Sequence, residues 1–142
     1  MDIKPALIPE LKISNFQESL KFYTEIAGFK VEYSRPEHDF AMLSREHAWL
    51  MIEGMSENTR TFEKGKLEYP FGKGAHFQVQ VLNVDRLFDT FKKVSYPIFL
   101  DMEEKWYRRD DVELGNKQFL VQDPDGYLFR FYQDLGKREV KR

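Results

Sequence analysis

Gln118–Tyr132, QFLVQDPDGYLFRFY, sets two alternating apolar segments on either side of Asp123-Pro124-Asp125-Gly126. Pro124 presets φ for the second turn position, Asp123 can bond nearby backbone amides and Gly126 tolerates positive φ, so the stretch reads as a β-hairpin. Phe119, Val121, Phe129 and Phe131 alternate with Gln118, Leu120, Gln122, Leu128, Arg130 and Tyr132. Each strand therefore has one apolar face and one mixed face, and Arg130 stands on the mixed one. That face is either ordinary solvent exposure or the wall of a pocket, and the rest of the chain decides between them.

Upstream of the hairpin, Ala75–Val81 has strand alternation. Asn83 opens a helix that carries Val84, Leu87, Phe88, Phe91 and Val94 on its buried side and ends at Tyr96-Pro97. A strand follows over Ile98–Met102, extending toward Tyr107, before the hairpin strands Lys117–Gln122 and Tyr127–Tyr132. The first half has the same order. Leu7–Ile13 is a short strand, and Asn15 caps a helix with Glu18 at the capping-box position. That helix buries Phe16, Leu20, Tyr23 and Ala27 and stops at Gly28. Strands then fall at Phe29–Tyr33, Phe40–Ser44 and Ala48–Glu53, joined by short polar connections. Asn83 lies 68 residues after Asn15, with Leu20 and Tyr23 matched by Phe88 and Phe91, so the halves read as structural repeats. The expected architecture is α+β, with tandem βαβββ modules forming curved mixed sheets and helices on the outer face. Residues 1–54 make the first module, 55–73 a linker, 74–134 the second module and 135–142 a charged, solvated tail.

Alternation assigns the faces. Phe77, Val79 and Val81 go under the second helix, leaving His76, Gln78 and Gln80 opposite; Leu50 and Ile52 go under the first, leaving Trp49, Met51 and Glu53 opposite. The non-helix side thus collects Glu10, Glu53, His76, Gln78, Gln118 and Arg130 among large apolar groups. A sheet face open to water carries more Lys, Thr and Glu, so this mixture favours a ligand-binding cleft.

The composition narrows the function. A formal net charge of -2 with acids and bases interspersed gives no electrostatic footprint for nucleic acid or a membrane surface. Zero cysteines exclude thiolate nucleophiles and Cys-ligated metal sites, and 42% hydrophobic residues suffice for a sizeable core. The N-terminus lacks a long apolar segment, and the chain reads as cytoplasmic. Phe99–Glu113, FLDMEEKWYRRDDVE, places Trp106 and Tyr107 among acids and arginines in a loop-like stretch. Aromatics beside charges suit stacking of a flat or cationic ligand, and equally a capped core edge or dimer contact. Tyr33, Phe40 and Trp49 line the other side. His38 and His47 fall in turns, where solvation explains them.

With these residues in place, the chain from about Ala6 to Gly136 resembles the glyoxalase/bleomycin resistance/extradiol dioxygenase superfamily, the vicinal oxygen chelate fold. IPELKISNFQESLKFYTEIAGFKVEYSRPE and FLVQDPDGYLFRF look most like its bleomycin resistance branch. The resemblance implies a divalent metal held by one side chain from the first and last strand of each module. Those positions fall on Ile8, Glu53, His76 and Arg130. Ile8 has no donor atom and a guanidinium repels a dication, so no catalytic metal and no cofactor are expected. An ion pair between Glu53 and Arg130, with His76 alongside, is the alternative; it either contacts ligand or serves structure alone. The branch further implies a homodimer that clasps a basic, planar antibiotic in intersubunit grooves by aromatic stacking and acidic groups, which Asp110, Asp111 and Glu113 supply. Modules pair within a chain or are exchanged between chains. Glu113-Leu114-Gly115 departs from the Glu-Trp-Gly frequent in such relatives, and Leu114 cannot stack as an indole does.

The expected function is sequestration of a bleomycin-like small molecule without catalysis, with Tyr33, Phe40, Trp49, Glu53, His76, Gln78, Trp106, Tyr107, Asp110, Glu113 and Arg130 as ligand-binding residues. One alternative is a glyoxalase- or dioxygenase-like enzyme with a metal site rebuilt from residues such as Glu10, Glu53 and His76. Another is an interaction module with no small ligand.

Overall fold

The computed structural model describes residues 4–55 and 67–140; most of the expected linker lies outside the described residues. The tandem order is present. Strand β1 (Glu10–Ile13), helix α1 (Phe16–Lys21) and strands β2 (Lys30–Arg35), β3 (Phe40–Arg45) and β4 (Ala48–Gly54) form the first module. Strand β5 (His76–Gln80), helix α2 (Val84–Lys93) and strands β6 (Leu100–Arg109), β7 (Val112–Gln122) and β8 (Leu128–Glu139) form the second. Each module is one four-stranded mixed sheet. The orders are β1-β4-β3-β2 and β5-β8-β7-β6, the first strand being parallel to the last and the other neighbours antiparallel. Among the described residues no helix is long and apolar enough to cross a membrane.

The helix signals work as the sequence implies. Asn15 Oδ1 accepts from the Glu18 amide and Asn83 Oδ1 from the Arg86 amide, both at 3.0 Å. The first helix does not run uniformly to Gly28. After Lys21 it widens into a π turn over Phe22–Ile26, with the Ala27 amide donating to the Phe22 carbonyl at 2.9 Å. The shift rotates Phe22 and Tyr23 into the core and leaves Leu20 half-buried. In the second helix Val84, Leu87 and Phe91 are buried, while Val94, at the C-cap, is 55% exposed.

The core of the second unit is an aromatic cluster. Phe91, Phe119, Phe129 and Phe131 are buried, with Phe119–Phe131 ring centroids 5.8 Å apart and Phe91–Phe119 5.5 Å apart. Burying each such ring contributes roughly 1.5–3 kcal/mol, so the apolar faces of β7 and β8 dominate this module's stability. In the first unit Leu11, Ile13, Leu43, Leu50 and Ile52 are buried, as the alternation requires.

Three boundaries differ from the sequence reading. The first strand starts at Glu10 rather than Leu7, because Pro9 has no amide hydrogen for the ladder; only its carbonyl is used, by the Met51 amide at 2.8 Å. The stretch around Trp106 and Tyr107 is strand, not loop: β6 and β7 pair from Arg109↔Val112 to Leu100↔Leu120 about a tight Asp110-Asp111 turn. Residues 135–139 are likewise strand, not a solvated tail, since β8 pairs with β7 as far as Val112↔Glu139. Charge and lack of apolar alternation hid this ribbon, whose polar strands hold each other through backbone bonds.

The chain divides into two compact units, residues 1–74 with 123–127 and residues 75–122 with 128–142. The hairpin turn thus belongs with the first unit while its strands belong to the second. Asp123 Oδ1 accepts from the Asp125 and Tyr127 amides at 3.0 and 2.9 Å, and Oδ2 accepts from the Tyr23 hydroxyl at 2.6 Å. Asp125 accepts from the amide and hydroxyl of Ser14, and Tyr127 donates to the Lys12 carbonyl at 2.9 Å. Gly126 has φ 94°, and a Cβ there would lie 2.6 Å from Pro70 Cα, so both backbone conformation and close approach require glycine. Burial pushes the Asp123 carboxyl up to about 6 despite the hydrogen bonds and in concert with the Asp125 charge. Tyr127 is pushed up to about 12 by burial and by the charges of Asp123 and Asp125.

Candidate functional site

On the second sheet, cross-strand register places Leu100, Leu120, Arg130 and Gln78 in one row, because Leu100↔Leu120, Leu120↔Arg130 and Gln78↔Arg130 are direct partners. The next row holds Glu103, Gln118, Tyr132 and Gln80. All face away from Phe77, Phe119, Phe129 and Phe131. Alternation in the sequence placed Arg130, Gln78 and His76 on this face, and the register is consistent with it.

The polar groups form a connected network. Arg130 Nη2 donates to Gln78 Oε1, and Nη1 donates to the Tyr107 hydroxyl oxygen at 3.3 Å. Gln118, only 1% exposed, donates through Nε2 to both Glu103 Oε2 and the Tyr107 oxygen at 2.8 Å and accepts from Asn116 Nδ2 at 3.2 Å. Arg130 Nε is buried without a hydrogen-bond partner among the described residues. Tyr132 donates to Gln80 Oε1 at 3.2 Å. His76 is exposed at the start of β5, opposite Leu128.

Trp106 does not join this face. It pairs with Gly115, lies on the side of β6 opposite Tyr107, and its ring covers Gly115 so closely that a Cβ there would fall 2.6 Å from the indole. The guanidinium of Arg138 stands 4.1 Å from the indole centroid, and Arg138 Nε donates to Glu113 Oε1 at 3.0 Å. The cation expected over Trp106, and the base expected beside Glu113, are both the chain's own Arg138. Asp110 sits at the ribbon tip with φ 58°, its carbonyl accepting from Arg108.

In the first unit, Phe40 is buried and Tyr33 is 44% exposed. The Arg35 guanidinium lies 3.9 Å from the Phe40 centroid and 5.7 Å from that of Tyr33. Glu53, opposite Phe40 in the ladder, receives the buried Lys12 ammonium, which also lies 3.9 Å from Glu10. Trp49 is half-buried on the same face, opposite Ser44. Ser44 donates to Glu32, which with Lys30 holds the Glu32 carboxyl below its ordinary value.

The residues at the four metal positions do not fit a divalent ion. Ile8 has no donor and precedes β1, Arg130 brings a permanent positive charge, and Glu53 is already neutralised by Lys12. Among the described residues no group of three or more His, Asp or Glu side chains converges to hold an ion.

Sequence reasoning missed Lys12, Arg35, Gln118, Tyr132 and Arg138 as parts of these networks. Tyr132 and Gln118 were on the correct face by alternation. Arg138 was hidden by its place in a charged terminal run, and Lys12 and Arg35 look in sequence like ordinary surface charges.

Two βαβββ modules, each a four-stranded sheet with a parallel first-to-last pair, define the vicinal oxygen chelate class of fold. The chain belongs to the Glyoxalase/Bleomycin resistance protein/Dioxygenase superfamily, whose family model matches residues 10–131. It is 35% identical to a superfamily member from Vibrio splendidus 12B01, over 89% of this chain and 97% of that one, with a TM-score of 0.42. A fosfomycin resistance protein from Listeria monocytogenes shares the fold at 15% identity and TM-score 0.59, over 92% of each chain. A lactoylglutathione lyase from Agrobacterium tumefaciens does so at 14% identity and TM-score 0.57, over 90% of this chain and 92% of that one. No curated protein matches the sequence.

Proposed function

We propose that this protein binds and sequesters a small organic molecule without metal chemistry, in the manner of the bleomycin resistance branch, acting as a cytoplasmic homodimer. The observation that carries the reading is the Arg130 network: a guanidinium stands where a metalloenzyme of this fold needs a ligand, linked to Gln78, Tyr107 and Gln118 on a face that also carries Leu100 and Leu128. Polar groups of fixed orientation beside apolar ones are what a small-molecule site requires. Protection by such a protein is mass action, with bound drug withdrawn from its target.

The experiment is calorimetric titration with bleomycin and with fosfomycin in the presence of EDTA, alongside sedimentation for the dimer. Saturable binding of either at tens of micromolar protein or below supports sequestration. No heat from either defeats the antibiotic-binding form. The enzyme alternative rests on a rebuilt metal site, for which elemental analysis after gentle purification is decisive: a stoichiometric, chelator-sensitive metal contradicts the proposal.

A further inference from the structure

We infer that the Arg130 face of the second module takes an organic anion, with its carboxylate or similar oxyanion on Arg130 and its apolar body against Leu100 and Leu128. The inference deepens the binding function proposed above and rests on it, naming the charge of the ligand.

Hydrogen-bond polarity carries it. A guanidinium can only donate, so the Gln78 atom that meets Arg130 Nη2 is the carbonyl oxygen and the Gln78 amide nitrogen remains a donor. The carboxylate of Glu103 accepts, which fixes Nε2 of Gln118 as the atom toward Glu103 and Tyr107. The Tyr107 oxygen then accepts from two donors, Gln118 Nε2 and Arg130 Nη1, and its own hydroxyl proton is left to donate. Gln80 accepts from Tyr132 through Oε1, which likewise leaves its amide nitrogen as a donor. The network thus uses its acceptors internally and turns donors outward: Tyr107 O–H, the amides of Gln78 and Gln80, and Arg130.

The charge balance points the same way. Within this unit the hydrogen-bond partners of Arg130 are neutral, and its Nε is buried without a partner among the described residues. Glu103 and Asp134 are acids of this face: Glu103 pairs with Gln118, which holds it one row from Arg130, and Asp134 pairs with Asn116 a row further on. A guanidinium with neutral partners in a partly buried setting is a receptor for a planar oxyanion, which it can bind in bidentate fashion. Leu120 is Arg130's cross-strand neighbour, and Leu100, 41% exposed, continues the row. The preferred ligand is therefore amphipathic rather than a bare inorganic ion. The acid–aromatic pair of Glu113 and Trp106, where a cationic group was expected, is filled by Arg138.

The test is titration of the full-length protein with benzoate, and with benzylammonium as a cation of the same shape, followed by calorimetry and amide NMR in EDTA. Benzoate should bind saturably, more tightly than inorganic phosphate, and benzylammonium should not. Arg130→Gln should weaken benzoate at least about tenfold and Tyr107→Phe about threefold, since a charge-assisted bond outweighs a neutral one. Tyr107→Phe, which keeps the ring, serves as the readout should Arg130→Gln fold poorly. Absence of benzoate binding, equal binding by both variants, or preference for benzylammonium overturns the inference. If bleomycin binds while benzoate does not, the anion assignment alone fails; if neither they nor fosfomycin bind, the sequestration function fails with it.

Discussion

The two modules share strand order, register pattern and helix caps, yet their open faces are wired in opposite ways. On that face of the first, Lys12 lies with Glu53 and Glu10, and Arg35 covers Phe40. In the second, Arg130 is bound by Gln78 and Tyr107, which carry no charge. The same fold therefore presents one electrostatically closed face and one receptive face. What distinguishes them is the partner each cation meets across the ladder, not the cations themselves.

The comparison can be broken most forcefully in the first module. Lys12→Met should cost about 2–3 kcal/mol of unfolding free energy in denaturant melts, because it leaves the Glu53 carboxylate without its buried partner. Benzoate affinity should be unchanged. Arg130→Met should reverse that pattern, with a stability change within about 1 kcal/mol and loss of binding, since it removes hydrogen bonds to the neutral Gln78 and Tyr107 only.

Stability against pH gives an effect of similar size. Asp123 titrates in the folded protein near 6, against an ordinary value of 3.8, so the folded state holds the extra proton. Its stabilising contribution is fully present below pH 3.8 and is lost as pH rises through about 6, on the order of 3 kcal/mol in all. Asp123→Asn should remove this downward slope between pH 4 and 7, and a wild-type slope retained in the variant would refute the assignment.

A smaller effect separates packing from ligand contact at Trp106. Arg138→Gln removes a cation over the indole and the Glu113 partner, and should cost about 1 kcal/mol. It should leave benzoate binding intact; a large loss would return Trp106 to the ligand site.

Much of the fold was legible because two physical periods dominate it. Alternation in Phe77–Val81 and Phe119–Val121 marks buried strand faces, and Asn15 and Asn83 mark helix starts by capping chemistry that needs no tertiary context. The β6–β7–β8 ribbon was not legible, since its outer residues, such as Lys105, Arg108 and Arg138, bury little and are ordered by backbone pairing across the sheet. The site was half legible for the same reason. Period two placed Arg130 and Gln78 on one face, but pairing of Trp106 with Arg138 depends on a strand that sequence alone presents as a charged tail. Nor can alternation say which residue neutralises a cation, and that is what sets the two modules apart.

The most direct measurement follows the arginine Nε–Hε resonances of the EDTA-treated full-length protein during a benzoate titration. A saturable shift at Arg130, with those of Arg35, Arg45 and Arg138 unmoved, is the predicted result. Equal movement of all four, or a shift centred on Arg35, would contradict the assignment of the receptive face to the second module.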